Sequence, residues 1–228
     1  MLKSRLEYFF GITNSVMLFR RAVTKALNTI KELDKTMTEA AVVTEFDVGD
    51  MWDRLPEYSK EAQRLGVSIN GMYQATTLYY QQGLKTNAAM ELGVETMKMA
   101  KIAGIESADA TKAMTAALRG FNMELNETSA TRVNDVYSQL AAVTAADTAQ
   151  ISTAMEKTAS IAASANMEFE TTAALLAQII ETTQEAPETA GTAMKTIIAR
   201  FAEVKSLREK GLTSGQDEGG EGIDVNKI

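Results

Sequence analysis

Apolar residues recur along this chain at steps of three and four, and each run is cut short by Gly or Asn followed by another hydrophobe. Val133, Val136, Tyr137, Leu140 and Val143 make one run, and Met155, Thr158, Ile161 and Ala162 continue the pattern in the next. Such spacing lines one face of an α-helix. The cut-offs are RLGVS at Gly66, IAGIES at Gly104, LRGFN at Gly120, SANMEF at Asn166 and EKGLT at Gly211. Each places a residue tolerant of left-handed backbone at a helix end. The hydrophobe after it (Val67, Ile105, Phe121, Met167, Leu212) is expected to fold back onto the last turn. Five stops of this kind predict a chain that repeatedly reverses.

Helix starts are also legible. Ser68, Ser107, Thr128, Ser129 and Asp147 each precede an apolar-periodic run and offer a side-chain oxygen to its free amides. The pattern predicts helices near 15–45 (with a break allowed), 50–65, 69–82, 84–103, 107–119, 128–143, 147–165, 169–184 and 187–210. No segment sustains period-two alternation. The fold class expected is all-α, successive helical hairpins packed as an elongated or stacked bundle with no sheet. DATKAMTAAL, DTAQISTAM, ETTAALLAQII and ETAGTAMKTII repeat an acid, then Thr and Ala, then an apolar face. Duplicated hairpins would give this, but acids favour a helix's first turn in any case. Three regions are expected: 1–46, basic amphipathic helices; 47–210, a helical core; and 211–228, a Gly- and acid-rich flexible tail or linker.

Composition narrows the chemistry. The 228 residues hold no His and no Cys, which removes the imidazole base, the thiolate nucleophile, disulfides and the usual zinc ligands. A net charge of −7 repels nucleic acid. The segment to Lys35 is the exception: seven basic residues stand against Glu7, Glu32 and Asp34. The apolar run Tyr8–Phe19 covers 12 residues, short of the roughly 20 needed to span a bilayer. An amphipathic segment docking on a partner fits it better than a membrane-surface role.

Three motifs invite an enzymatic reading, and each has a structural one beside it. Gly191-x-x-x-Lys195-Thr196 is three-quarters of a phosphate-binding loop. It lacks the Gly that should precede the Lys, since Met194 stands there, and a helical run precedes it where a strand should. Pro187 and Glu188 instead suit a helix's first turn. Gly191, Met194, Ile197, Ile198, Phe201 and Val204 then share one expected face. Asp47, Asp50, Asp53 and Glu57 gather around Trp52, but nothing supplies the apolar pocket that would split their pKa values for acid–base work. Tyr79 and Tyr80 lack interleaved basic residues and suit helix packing rather than base stacking.

The blocks ELDKTMTEAAVVTEF (32–46), TLYYQQGLKTNAAMELGVETMKMAKIAGIESADATKAMTAALRGFNM (77–123), VNDVYSQLAAVTAADTAQISTAMEKTASIA (133–162) and ETAGTAMKTIIARFAEVK (188–205) resemble the core region of phage tail tape measure proteins. The similarity runs from about Glu32 to Leu207, in the family's order. It implies a helical, non-enzymatic virion protein, with no catalytic, cofactor or metal residues to carry over. Such proteins act in tail assembly and length determination inside the tail tube, and leave ahead of the DNA at ejection. The implied partners are sister copies (a trimer or hexamer), the tail tube protein, distal tail or baseplate hub proteins and tail assembly chaperones. Contact with the host membrane is a further implied partner, and specific nucleic-acid binding is not expected. The implied place is the phage tail of the virion, after synthesis in the bacterial host cytoplasm.

As one unbroken helix, 228 residues reach only about 340 Å, and reversals shorten that several-fold, so the full protein is expected to continue past Ile228. The expected oligomer seam is the last helix, with Met194, Ile197, Phe201, Val204 and Arg208 at heptad-like steps. The alternative reading is a membrane-active helical protein forming a DNA passage channel in the host envelope.

Overall fold

The computed structural model describes residues 2–44 and 47–209, with side chains within 17–42, 47–85 and 87–204. The expected tail at 211–228 and the stop at Gly211 lie outside the described residues. Among the described residues the chain forms ten helices and no strand. They are α1 (Leu2–Thr44), α2 (Val48–Asp53), α3 (Leu55–Leu65), α4 (Ile69–Gln81), α5 (Thr86–Ala103), α6 (Ser107–Gly120), α7 (Glu127–Val143), α8 (Thr148–Ser164), α9 (Phe169–Thr183) and α10 (Pro187–Glu209). The expected all-α hairpin architecture is what the structure shows.

Packing sorts the helices into two rows. α1, α4, α6, α8 and α10 neighbour one another in that order, while α3, α5, α7 and α9 form the second row. Each hairpin crosses between rows: α4 to α5, α6 to α7, α8 to α9. The result is a stack in which each pair leans mainly on the next, so that α1 and α10 stand at opposite ends of their row. One core cluster runs through the stack, from Leu33, Met37 and Ala40 of α1 to Ala190, Met194 and Ile198 of α10. Met37, Met72, Met99, Met114 and Met155 are fully buried in it, flexible side chains that fill the irregular gaps between small-residue helices. Close approach is built in at Gly120, where an added Cβ would come within 2.5 Å of the Ala159 Cβ.

Five helix ends share one geometry. The amides of Val67, Leu84, Ile105, Met123 and Met167 donate to the carbonyls of Ala62, Tyr79, Ala100, Leu118 and Ala162, at 2.8–3.2 Å. Each is the wide bond of a Schellman cap, and each of the five hydrophobes packs against the core. Gly66 (φ 67°), Gly104 (φ 67°) and Asn166 (φ 59°) take the left-handed residue as expected. At LRGFN the expectation is corrected. Gly120 stays helical against α8, Asn122 (φ 54°) takes the left-handed role, and the returning hydrophobe is Met123, not Phe121. The closure at Leu84, after Gly83 (φ 86°), and the left-handed Gln184 (φ 55°) ending α9 were not foreseen.

Starts needed more correction. Ser68 caps α4, accepting from the Gly71 amide at 3.0 Å. Asp147 caps α8 in a reciprocal box: its carboxylate accepts from the Gln150 amide at 2.8 Å, and the Gln150 side chain accepts from the Asp147 amide at 3.0 Å. Ser107 lies inside α6 instead, behind Glu106. Thr128 and Ser129 lie inside α7, whose cap is Asn126, accepting from the Ser129 amide at 2.9 Å. The expected helix 50–65 is two helices. Pro56, at the start of α3, has no amide for a continuing helix and a ring that crowds the preceding turn. The repeated acids Asp109, Glu170 and Glu188 sit in first turns of α6, α9 and α10, and Asp147 is a cap.

Candidate functional site

α10 closes one end of the stack and holds all the residues of the expected seam. Pro187 opens it and Glu188 meets its positive end. Ala190, Gly191, Met194 and Ile198 point into the body. A Cβ on Gly191 would lie 2.4 Å from the Ala154 carbonyl oxygen and 3.0 Å from its Cα, so the two helix backbones touch here. The Thr158 hydroxyl sits 3.0 Å from the Gly191 carbonyl and 3.1 Å from that of Ala154, a polar contact shared across the same seam. A phosphate has no room on this face, since backbone fills it. Lys195, which a phosphate-binding loop would aim at its ligand, is exposed.

The expected apolar face of α10 is covered by the body only along the helix's first half. Met194 is 4% exposed, buried within the chain's own core, and so is withdrawn from the oligomer seam. Further along the same face Phe201 and Val204 are 58% and 57% exposed, and Ile197 at its edge is 51% exposed. The Arg208 side chain lies outside the described residues. From Ala199 to Val204 every side chain is exposed, so α10 leaves the body after Ile198 with an apolar stripe uncovered. Large exposed hydrophobes in a row mark interaction surfaces more often than chance scatter does.

The other candidates are structural. Asp47 caps α2, its carboxylate accepting from the Gly49 amide at 2.5 Å, and Asp50 occupies that helix's first turn. Among the described residues, no three acidic side chains are grouped to hold a metal ion. Tyr79 is buried between helices with its hydroxyl 2.6 Å from Thr96 Oγ1; burial pushes the phenol up to about 12 against the opposing pull of its hydrogen bonds. Tyr80 is half-buried, its hydroxyl 3.3 Å from that of Tyr58. Burial also raises Tyr58 and Tyr73, whose rings stack at 4.2 Å.

One polar feature was missed. Glu95 is 1% exposed, on the same face of α5 as Leu92 and Met99. Its carboxylate takes the Lys98 ammonium and, at 3.1 Å, the Asn134 side-chain amide, which also reaches the Glu95 carbonyl at 2.9 Å. A buried carboxylate held this way pins α5 to α7, because leaving it unpaired would be costly. The signal in the sequence was an acid standing at a core step of an apolar period. Beside it a polar groove of about 360 Å³, between α3, α5 and the start of α7, mixes Glu57, Glu61, Glu91 and Glu127 with Arg64 and Lys98. The groove is acidic on balance, with Arg64 paired to Glu61 at 2.7 Å.

Among the described residues no helix is long and apolar enough to cross a membrane. The family described as "Phage-related minor tail protein" matches residues 59–228. The tape measure protein of Pneumococcus phage Dp-1 is 30% identical over 136 residues, which cover 58% of this chain and 12% of that protein. The chain thus matches only a small part of that relative's length. No solved structure matches.

Proposed function

This chain belongs to the phage-related minor tail protein family, and on that footing we propose that it is the folded core of a tape measure protein, not an enzyme. A structural role in the phage tail follows from the membership. The finer reading is that several copies, a trimer or hexamer, stand around the tail axis inside the tube, take part in setting tail length during assembly, and leave ahead of the DNA. Tube protein, distal hub proteins and tail assembly chaperones are the partners of that reading. A folded stack of short helices is a poor ruler, so in this reading length is measured elsewhere in the full protein and the stack anchors it.

The observation that carries the reading is the uncovered stripe of α10: Ile197, Phe201 and Val204 are exposed and continue the apolar face by which the helix seats on α8 at Gly191. Burying one such side chain in a contact is worth about 1.5–3 kcal/mol, enough for three of them to hold sister copies together at the local concentration of a tail. The test is a phage carrying Ile197→Glu and Phe201→Glu. The expected result is a folded protein, unchanged in helical content, with tails absent or misassembled. Tails of normal length and full infectivity would sink the reading.

A further inference from the structure

α1 carries an apolar stripe at alternating steps of four and three: Phe19, Val23, Ala26, Ile30, Leu33, Met37 and Ala40. These are the a and d positions of a heptad seam, with Val and Ile at a. The stripe has two fates. Leu33, Met37 and Ala40 are buried in the core with α4 alongside, where Thr36 Oγ1 lies 2.5 Å from Asn70 Oδ1. From Met17 to Glu32 every side chain is exposed, on all sides of the helix, Phe19 at 72%. The helix leaves the body, and the face that docked it runs on unbroken and uncovered. The sequence keeps the register further upstream, at Phe9, Ile12 and Val16.

A helix standing clear of its body gains nothing from tertiary packing, and helices without such packing are marginal in water. A seam in strict heptad register is complementary to another helix of the same register. The flanks choose the orientation. Position e holds Arg20 and Leu27, position g holds Ala22 and Thr29. In a parallel pair e lies against g, so Leu27 meets Ala22 and widens the seam with methyl groups. An antiparallel pair over the same span sets Leu27 against Arg20 and Ala22 against Thr29, placing charge and hydroxyl there instead. We propose that residues 17–32 of α1 pack in parallel and in register against the same segment of a second copy of this chain, with Phe19, Val23, Ala26 and Ile30 as the seam. At Leu33 each chain's α4 takes over the stripe, and the bodies splay apart from a shared stalk. The inference goes beyond the α10 stripe and does not depend on it.

The absence of native cysteine makes the test clean. Full-length chains carrying Val23→Cys or Ile30→Cys at a positions, and Asn28→Cys at the outward f position as control, are oxidised and run on non-reducing gels. The expected result is covalent dimer from each a-position variant at least tenfold faster than from the control, persisting when Phe201→Glu is added. Equal rates for all three overturn the proposal. So does cross-linking that appears only when Ile30→Cys is mixed with Phe19→Cys, which means antiparallel pairing, or with Phe201→Cys, which means α1 seats on a neighbour's α10. Co-sedimentation with phosphatidylglycerol vesicles that Val23→Glu abolishes, without a-position cross-linking, overturns it in favour of a lipid surface.

Discussion

Gly191→Ala adds one methyl where α10 crosses α8. That methyl would stand 2.4 Å from the Ala154 oxygen, roughly 1 Å inside ordinary contact. The obstacle is backbone, with no flexible side chain to swing away, so α10 must move out. Moving by that amount takes the Thr158–Gly191 contact from 3.0 Å to beyond hydrogen-bond reach. Overpacking of this kind costs about 1–3 kcal/mol, and the weakened hydrogen bond about 1 kcal/mol more. Against that, Ala in place of Gly inside a helix returns about 1 kcal/mol. The net expectation is a loss of about 1–3 kcal/mol, a urea midpoint lower by about 0.5 M or more. The assay is urea unfolding followed by circular dichroism, with Thr192→Ala, one residue along on the exposed side, as the control that changes little. A Gly191→Ala chain as stable as its parent, or more so, would refute the close crossing.

Three further perturbations check separate parts of the fold. Asp147→Ala removes the reciprocal cap of α8 and should cost about 1 kcal/mol in the same assay. Gln184→Gly relieves a left-handed side chain at the end of α9 and should raise stability by about 0.5–1 kcal/mol, measured by thermal melting. Glu156 is exposed on α8, but partial desolvation of its carboxyl raises its pKa, with Lys157 and Lys112 opposing and Asp109 and Glu188 reinforcing. Its folded pKa lies above the unfolded one, so its favourable contribution is complete below the unfolded value and is lost as pH rises through the folded value. Glu156→Gln should therefore be more stable than the parent at pH 7 and indistinguishable from it below about pH 4, read from urea curves at both pH values; a gap that widens on acidification contradicts the desolvated acid.

Helix stops were legible because they depend on neighbours in sequence: a residue that tolerates positive φ, then a hydrophobe that returns. LRGFN misled because its glycine serves α8, a contact between residues distant in sequence, which leaves Asn122 to make the turn. The same limit explains α10. Periodicity finds its apolar face but cannot say how far the body covers it; that cover ends after Ile198 and leaves Phe201 and Val204 exposed. Glu95 stood in the apolar period of α5, but its partner Asn134 lies on α7 and only the fold brings them together. The split at Pro56 was readable, since a proline there begins a helix more readily than it continues one. Gly191 shows where a sequence motif and its physical use part: spacing suggested a phosphate, and the backbone of α8 occupies that side.

Following this chain through infection tests its place in the tail most directly. Quantitative mass spectrometry of purified virions, before and after DNA ejection, counts its peptides from residues 59–209 in each. Several copies per tail are expected in full particles, with strong depletion once the DNA has left. Peptides missing from full particles, or retained undiminished in emptied ones, would contradict the proposed role.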